Sequence, residues 1–259
     1  MQVKIYLVAT LVLIAFISHA TDSFAVGGIS NSKVIVPSTD TVPKKSIELE
    51  PFANFLFADD ENNTKTYDLG ARFTYGLLDT VEVGITFFFV TFEDDDLINT
   101  DSNFGNIEPG LKWRFLEQED YSPTSFSLAY EGGMTFPTSS SDNKWTFEPL
   151  GLILTKNFSE QFSVDHDVVL RIVEDELWGI ISNHGIGYYL TDWLQPVAEL
   201  GYVYENIDNS RNAHVLNITG GFTANLTNYA TLIIGVTKDI VTEDVEDTLV
   251  VSTALTLIF

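Results

Sequence analysis

Ionisable residues recur at alternate positions within otherwise apolar segments of this chain. They are Glu48 and Glu50, Asp68 and Arg72, Glu82, Glu108 with Lys112 and Arg114, Glu131, Asp165 with Asp167 and Arg171, and Glu199. Residues two apart on an extended strand point to the same side, so these charges share faces opposite apolar ones. Charges gathered in that way can select a solute in a pore, or they can pair and fill a closed interior. A second constellation is nucleophilic: Ser182 and His184 share a strand face, and His166 lies one segment earlier. A nucleophile needs its base within hydrogen-bond reach, which i, i+2 neighbours barely allow, and the order of residues does not match the outer-membrane phospholipase pattern. An enzyme is therefore not expected. Four histidines without ligand spacing and no cysteine give no metal site, and no cofactor motif is present.

The charged positions need strands to carry them, and the last stretch, TLVVSTALTLIF (248–259), shows what kind. Leu249, Val251, Leu255, Leu257 and Phe259 alternate with Thr248, Ser252, Ala254 and Thr256, the period of a strand between two environments. Twelve segments have this character: 46–57, 64–77, 81–92, 104–116, 123–136, 144–156, 161–173, 177–190, 193–205, 213–226, 229–239 and 248–259. Each is long enough for the ~9–11 residues of a tilted membrane strand. In 64–77, Tyr67, Leu69, Ala71, Phe73 and Tyr75 oppose Asp68, Gly70, Arg72 and Thr74. Lipid does not accept Arg72 or Asp68 cheaply, so the polar set must face inward. The segment KWTFEPLGLILTK (144–156) alternates badly.

The spacing also predicts neighbours. Folding the first two segments about Asp60 sets Arg72 beside Glu48 and Glu50. Folding the third and fourth about Leu97–Ile98 sets Arg114 beside Glu82. Folding the fourth and fifth about Glu119-Asp120 sets Glu108 opposite Glu131, with Lys112 one inward position away. Two facing carboxylates in a narrow lumen would favour cations.

Before the strands, Lys4 precedes an apolar run from Ile5 to Ile17, and Ser18-His19-Ala20 and Ser23-Phe24-Ala25 both fit a cleavage site. Residues 1–25 read as a signal peptide cut after Ala20 or Ala25. Residues 26–45, polar and containing Pro37 and Pro43, read as an extended periplasmic lead-in, and 46–259 as the barrel. No other stretch can span a bilayer as a helix. The net charge of -24 excludes nucleic acid as a partner, while 45% hydrophobic residues exclude a disordered chain. The acid concentrates in one set of connections: 58–63, 93–103, 137–143, 174–176, 206–212 and 240–247. Turns at 78–80, 157–160, 191–192 and 227–228 are short. Short turns at one rim and long loops at the other are the asymmetry of an outer-membrane barrel.

Several stretches resemble one family. TVPKKSIELEPF (41–52), FTYGLLDTVEVGI (73–85), GNIEPGLKWRFL (105–116), FSLAYEGGMTFPT (126–138) and GIGYYLTDWLQPVAELGY (185–202) resemble the phenol-degradation meta-pathway family of outer-membrane proteins. The chain departs from that pattern at Asn106 and Ser139. Members are described as channels or transporters for small, often hydrophobic, molecules, and the resemblance implies the same here. The terminal Phe259 resembles the C-terminal signal that the bacterial barrel assembly machinery reads.

The expectation is an all-β protein: a transmembrane antiparallel up-and-down β-barrel of about twelve strands in a Gram-negative outer membrane. It would contact membrane lipid and lipopolysaccharide and pass a small-molecule solute. The other reading is a structural or adhesive barrel presenting acidic loops.

Overall fold

Alternation with period two gives most strands one apolar and one polar face, and only a closed ring satisfies both the ladder and a surrounding of lipid. The computed structural model of the chain shows that ring. It describes residues 26–30, 32–59, 64–95, 98–103, 105–138, 144–174, 177–208 and 211–259. The signal-peptide reading and several loop tips, including Asp96 in its acidic run, lie outside the described residues.

The strands are β1 (Ile47–Ala58), β2 (Lys65–Leu78), β3 (Val81–Asp95), β4 (Ile98–Asn103), β5 (Ile107–Leu116), β6 (Ser127–Thr135), β7 (Thr146–Asn157), β8 (Phe162–Val173), β9 (Leu177–Tyr188), β10 (Leu194–Asp208), β11 (Arg211–Thr227), β12 (Ala230–Glu243) and β13 (Thr248–Ile258). Each pairs antiparallel with its sequence neighbour, and β13 returns to β1. The exception is β4, which extends the far end of β3 as a short hairpin, while β5 pairs with β3 over Val81–Phe87. Twelve strands therefore close the barrel. At the seam, Ile47 and Phe259 exchange backbone hydrogen bonds of 3.0 and 2.9 Å.

The outer face is apolar and aromatic. Phe73, Leu111, Leu152, Ile186, Leu200 and Ile218 are exposed there, with no core behind them to fill. Tyr75, Trp113, Phe158, Tyr188, Trp193 and Tyr229 are exposed near the short-turn rim, as an interfacial girdle requires. At the other rim Tyr204 packs on Trp178 and His214 with ring centroids 5.2 and 5.1 Å apart.

Two departures from simple alternation have local causes. Pro149 cannot donate to the ladder, and β7 bulges against β8 between Phe147 and Leu150. The inward set therefore changes phase, from Thr146 and Glu148 to Gly151, Ile153 and Thr155. The connection from Glu117 to Phe126 is longer than the other turns at its rim. Its Gln118 side chain donates to Asn157 O at 2.7 Å and accepts from Asn157 N at 2.8 Å. Within it the Ser122 hydroxyl and N–H both bond Asp120, which holds that carboxyl below its ordinary range.

Candidate functional site

Residues 26–30 and 32–39 do not lie outside the barrel as the sequence suggests; they run through its lumen, and Asp40, Pro43, Lys44 and Lys45 are exposed where the chain leaves it. Val26, Ile29, Lys33, Val36 and Thr39 are each at most 2% exposed. The polarity that makes this stretch read as a linker is the polarity a charged lumen accepts. Its apolar residues settle on apolar patches of the wall. Val26 and Ile29 join Ala129, Ile153, Val169 and Val203, and Val34 and Ile35 join Val197 and Ile233.

The wall is shaped to admit this segment. A Cβ at Gly84 would lie 2.0 Å from Gly28 O, and one at Gly110 would lie 1.9 Å from Gly27 O, so only glycine permits the approach. The segment then leaves the lumen and turns into β1 at Lys45, whose φ is 68° and whose N–H donates to Gly76 O at 2.8 Å.

Inward carboxylates hold the segment by its backbone. Glu82 accepts from Ser30 N at 2.8 Å, Ser30 Oγ at 2.8 Å and Val42 N at 2.6 Å. Glu199 accepts from Val34 N and Ile35 N, each at 2.9 Å. Lys112 donates to Ser30 O at 3.0 Å and Ser38 O at 3.2 Å, and pairs with Glu82 at 3.2 Å. Lys33 of the segment forms an ion pair with Asp165, which also accepts from Thr155 Oγ1 at 2.5 Å. Thr39 N donates to Thr155 Oγ1 and Gly28 N to Thr86 Oγ1, both at 2.9 Å. Backbone groups buried in this way need such partners, since an unsatisfied one costs about 1–3 kcal/mol.

The residues singled out in the sequence distribute as follows. Arg72 pairs with Glu50 at 2.9 Å and Glu48 at 3.6 Å, and all three are buried. Arg171 pairs with Glu148 at 2.9 Å. Glu148 escapes the sequence reading because it sits beside the Pro149 bulge, where alternation fails. Lys112, not Arg114, is the partner of Glu82, because Glu82 lies opposite Lys112 in the β3–β5 ladder. Arg114 instead reaches Asp40 and Glu117 near the short-turn rim. Glu108 does not face Glu131: the β5–β6 ladder places Lys112 opposite Glu131, and Glu108 bonds Thr135. The expected carboxylate pair is thus not formed across that hairpin.

Between the segment and the β1–β3 and β12–β13 wall a gap of about 90 Å³ remains. Phe52, Phe88 and Ile233 line one part of it, and Glu50, Arg72 and Glu108 another. Phe52 and Phe88 meet edge to face at 5.4 Å.

The Ser182 and histidine group lies on the outer face. His166 stacks on His184 at 4.1 Å, and His166 Nδ1 bonds the backbone carbonyl of Asn183 at 2.9 Å. Among the described residues no hydrogen bond joins Ser182 to either ring.

No protein-family model matches the chain, and no curated protein matches it either. Solved structures do match. The COG4313 outer membrane channel from Pseudomonas putida F1 aligns over 85% of this chain and 98% of its own, with a TM-score of 0.65 at 14% identity. The NanC porin aligns over 81% and 98%, with a TM-score of 0.55 at 6% identity. The beta domain of the Bordetella autotransporter BrkA aligns over 83% and 100%, with a TM-score of 0.53 at 8% identity. At such identities the likeness is one of fold: the chain shares the closed antiparallel β-barrel of these structures.

Proposed function

We propose that this protein is a passive outer-membrane channel for small molecules, with residues 26–45 as the constriction. The observation that carries the reading is the lumen itself. It is the interior of a closed barrel, and a segment held there by hydrogen bonds and ion pairs narrows it. The remaining gap has aromatic and charged sides, which suits a small solute with an apolar body and one polar group. No chemistry is required of the outer-face histidines, and the protein acts without an enzymatic step. The test is solute uptake by liposomes carrying the purified protein. Uptake of small aromatic alcohols faster than by protein-free liposomes supports a conduit. No acceleration for any small solute would leave a structural barrel.

The same reading fixes orientation. The acidic loops face outward against lipopolysaccharide and the short turns face the periplasm. Single cysteines introduced at positions 94 and 79 report this on intact cells, in a chain with no native cysteine. Labelling is expected at 94 and not at 79; the reverse would overturn the orientation.

Phe259 is proposed as the signal for the barrel assembly machinery. It is 72% exposed, and only its backbone joins the seam. Deleting it should lower the yield in the outer membrane far more than the unfolding temperature of the barrels that do assemble. Normal yield would remove the signal role.

A further inference from the structure

The wall of β5 to β8 carries more buried negative charge than its cations neutralise. Arg171 is committed to Glu148, Lys33 to Asp165 and Lys112 to Glu82. Glu131 is 0% exposed, and neither of its carboxylate oxygens has a hydrogen-bond partner among the described residues. Asp167, also 0% exposed, accepts from Asn183 through one oxygen, and its other oxygen has no partner among the described residues. Glu148 and Asp167 act on Glu131 from the same wall, with Lys112 as the nearby cation. With Lys112 paired to Glu82, a buried carboxylate in that state lacks a counter-charge of its own.

The lumenal segment begins beside it. Read backwards, the segment crosses one strand per residue. Gly28 lies against Gly84 and Gly110, Gly27 against Gly110, and Val26 against Gly133, where an added Cβ would meet Val26 Cγ1 at 2.5 Å. Gly133 is the next inward position after Glu131 on β6. Val26, the first described residue, therefore lies over β6, the strand that carries Glu131. Ser23-Phe24-Ala25 immediately precedes it and fits a cleavage site.

We propose that the chain is cut after Ala25 and that the α-ammonium of Val26 is the counter-ion of Glu131 inside the barrel. Hydrolysis by the export peptidase adds water across the Ala25–Val26 bond. The Ala25 carbonyl leaves with the leader as a carboxylate, and the Val26 nitrogen becomes a protonated amine. The cut after Ala20 is disfavoured by the same charges. It would leave Thr21 to Ala25 attached, add the Asp22 carboxylate to the mature chain and set the new amine five residues ahead of Val26. The new amine supplies the missing positive charge where the carboxylate lacks one, so processing completes the lumen. The inference rests on the export reading, because only an exported chain meets the peptidase.

Intact mass of the protein purified from outer membranes tests the cut. A mature chain starting at Val26 is expected, and one starting at Thr21 overturns the proposal. Protein recovered outside the outer membrane with residues 1–25 attached would instead defeat the export reading. The ion pair is tested on wild type with an amine-selective acylating reagent at neutral pH. The α-amine should be protected in the folded barrel and react after unfolding; equal rates in both states would refute the pair. Glu131→Gln and an alanine inserted between Ala25 and Val26 complete the test as a double-mutant cycle. Each alone should lower the unfolding temperature, and the two together little more than either. Additive losses would show that the amine and Glu131 do not interact.

Discussion

Removal of residues 26–40 should raise single-channel conductance and liposome uptake several-fold without unfolding the barrel. The hydrogen bonds of the ring run strand to strand, from β1 round to β13, and none of the ladder passes through this segment. Taking the segment away removes Val26, Ile29 and Val34 to Val36 from the middle of the lumen and widens a gap of about 90 Å³. It also strands the carboxylates of Glu82 and Glu199, but in an interior now open to water, where their solvation is recovered. The expected result is larger current steps and faster uptake of solutes too large for the wild-type gap. Unchanged conductance in a folded, truncated barrel would mean that the segment is not the constriction.

Glu82→Ala should be the most damaging single substitution. Glu82 is 0% exposed, binds the segment at Ser30 and Val42, and neutralises Lys112, which is also 0% exposed. Deleting one member of a buried pair leaves the other charge uncompensated, at a cost of ~3–5 kcal/mol. Part of that loss should fall on the segment rather than the barrel, because Lys112 also donates to Ser30 and Ser38. Denaturant unfolding in detergent should show the loss. Glu82→Gln, which keeps an acceptor for the Ser30 and Val42 groups, should lose less. A cost below ~1 kcal/mol for Glu82→Ala would mean that water replaces the carboxylate, and that this part of the lumen is wetter than the packing implies.

The barrel is legible in the sequence wherever alternation is strong. On β2, Asp68 and Arg72 between aromatic neighbours fix which face is inward, and the hairpin about Asp60 sets Arg72 against Glu50 as counting suggests. Counting fails where the chain adds residues that alternation does not show. β4 and β5 pair with β3 in one register, half a residue from the Leu97–Ile98 pivot, so Glu82 falls directly opposite Lys112, with Arg114 the next inward position along β5. The turn from β5 to β6 pivots further along than Glu119-Asp120, and a bulge lies between Arg114 and Leu116, so Glu131 meets Lys112 in place of Glu108. On β7, Pro149 breaks the phase and hides Glu148.

The site is less legible than the fold. Lys33, Ser30 and the Val34-Ile35 backbone carry no pattern of their own, and Pro37 and Pro43 make their stretch look like a spacer. What marks them is reciprocal. Gly84 and Gly110 leave room on the wall for one particular segment, and Glu82 and Glu199 point inward at its N–H groups. Such matching appears only once the ring has closed.

Single-channel recording of the full-length wild-type protein in planar bilayers tests the conduit most directly. Small, discrete steps are expected, with a size set by the gap beside Phe52 and Arg72 and increased by removing residues 26–40. A silent bilayer with both the wild-type and the truncated protein, each shown to be folded, would contradict it.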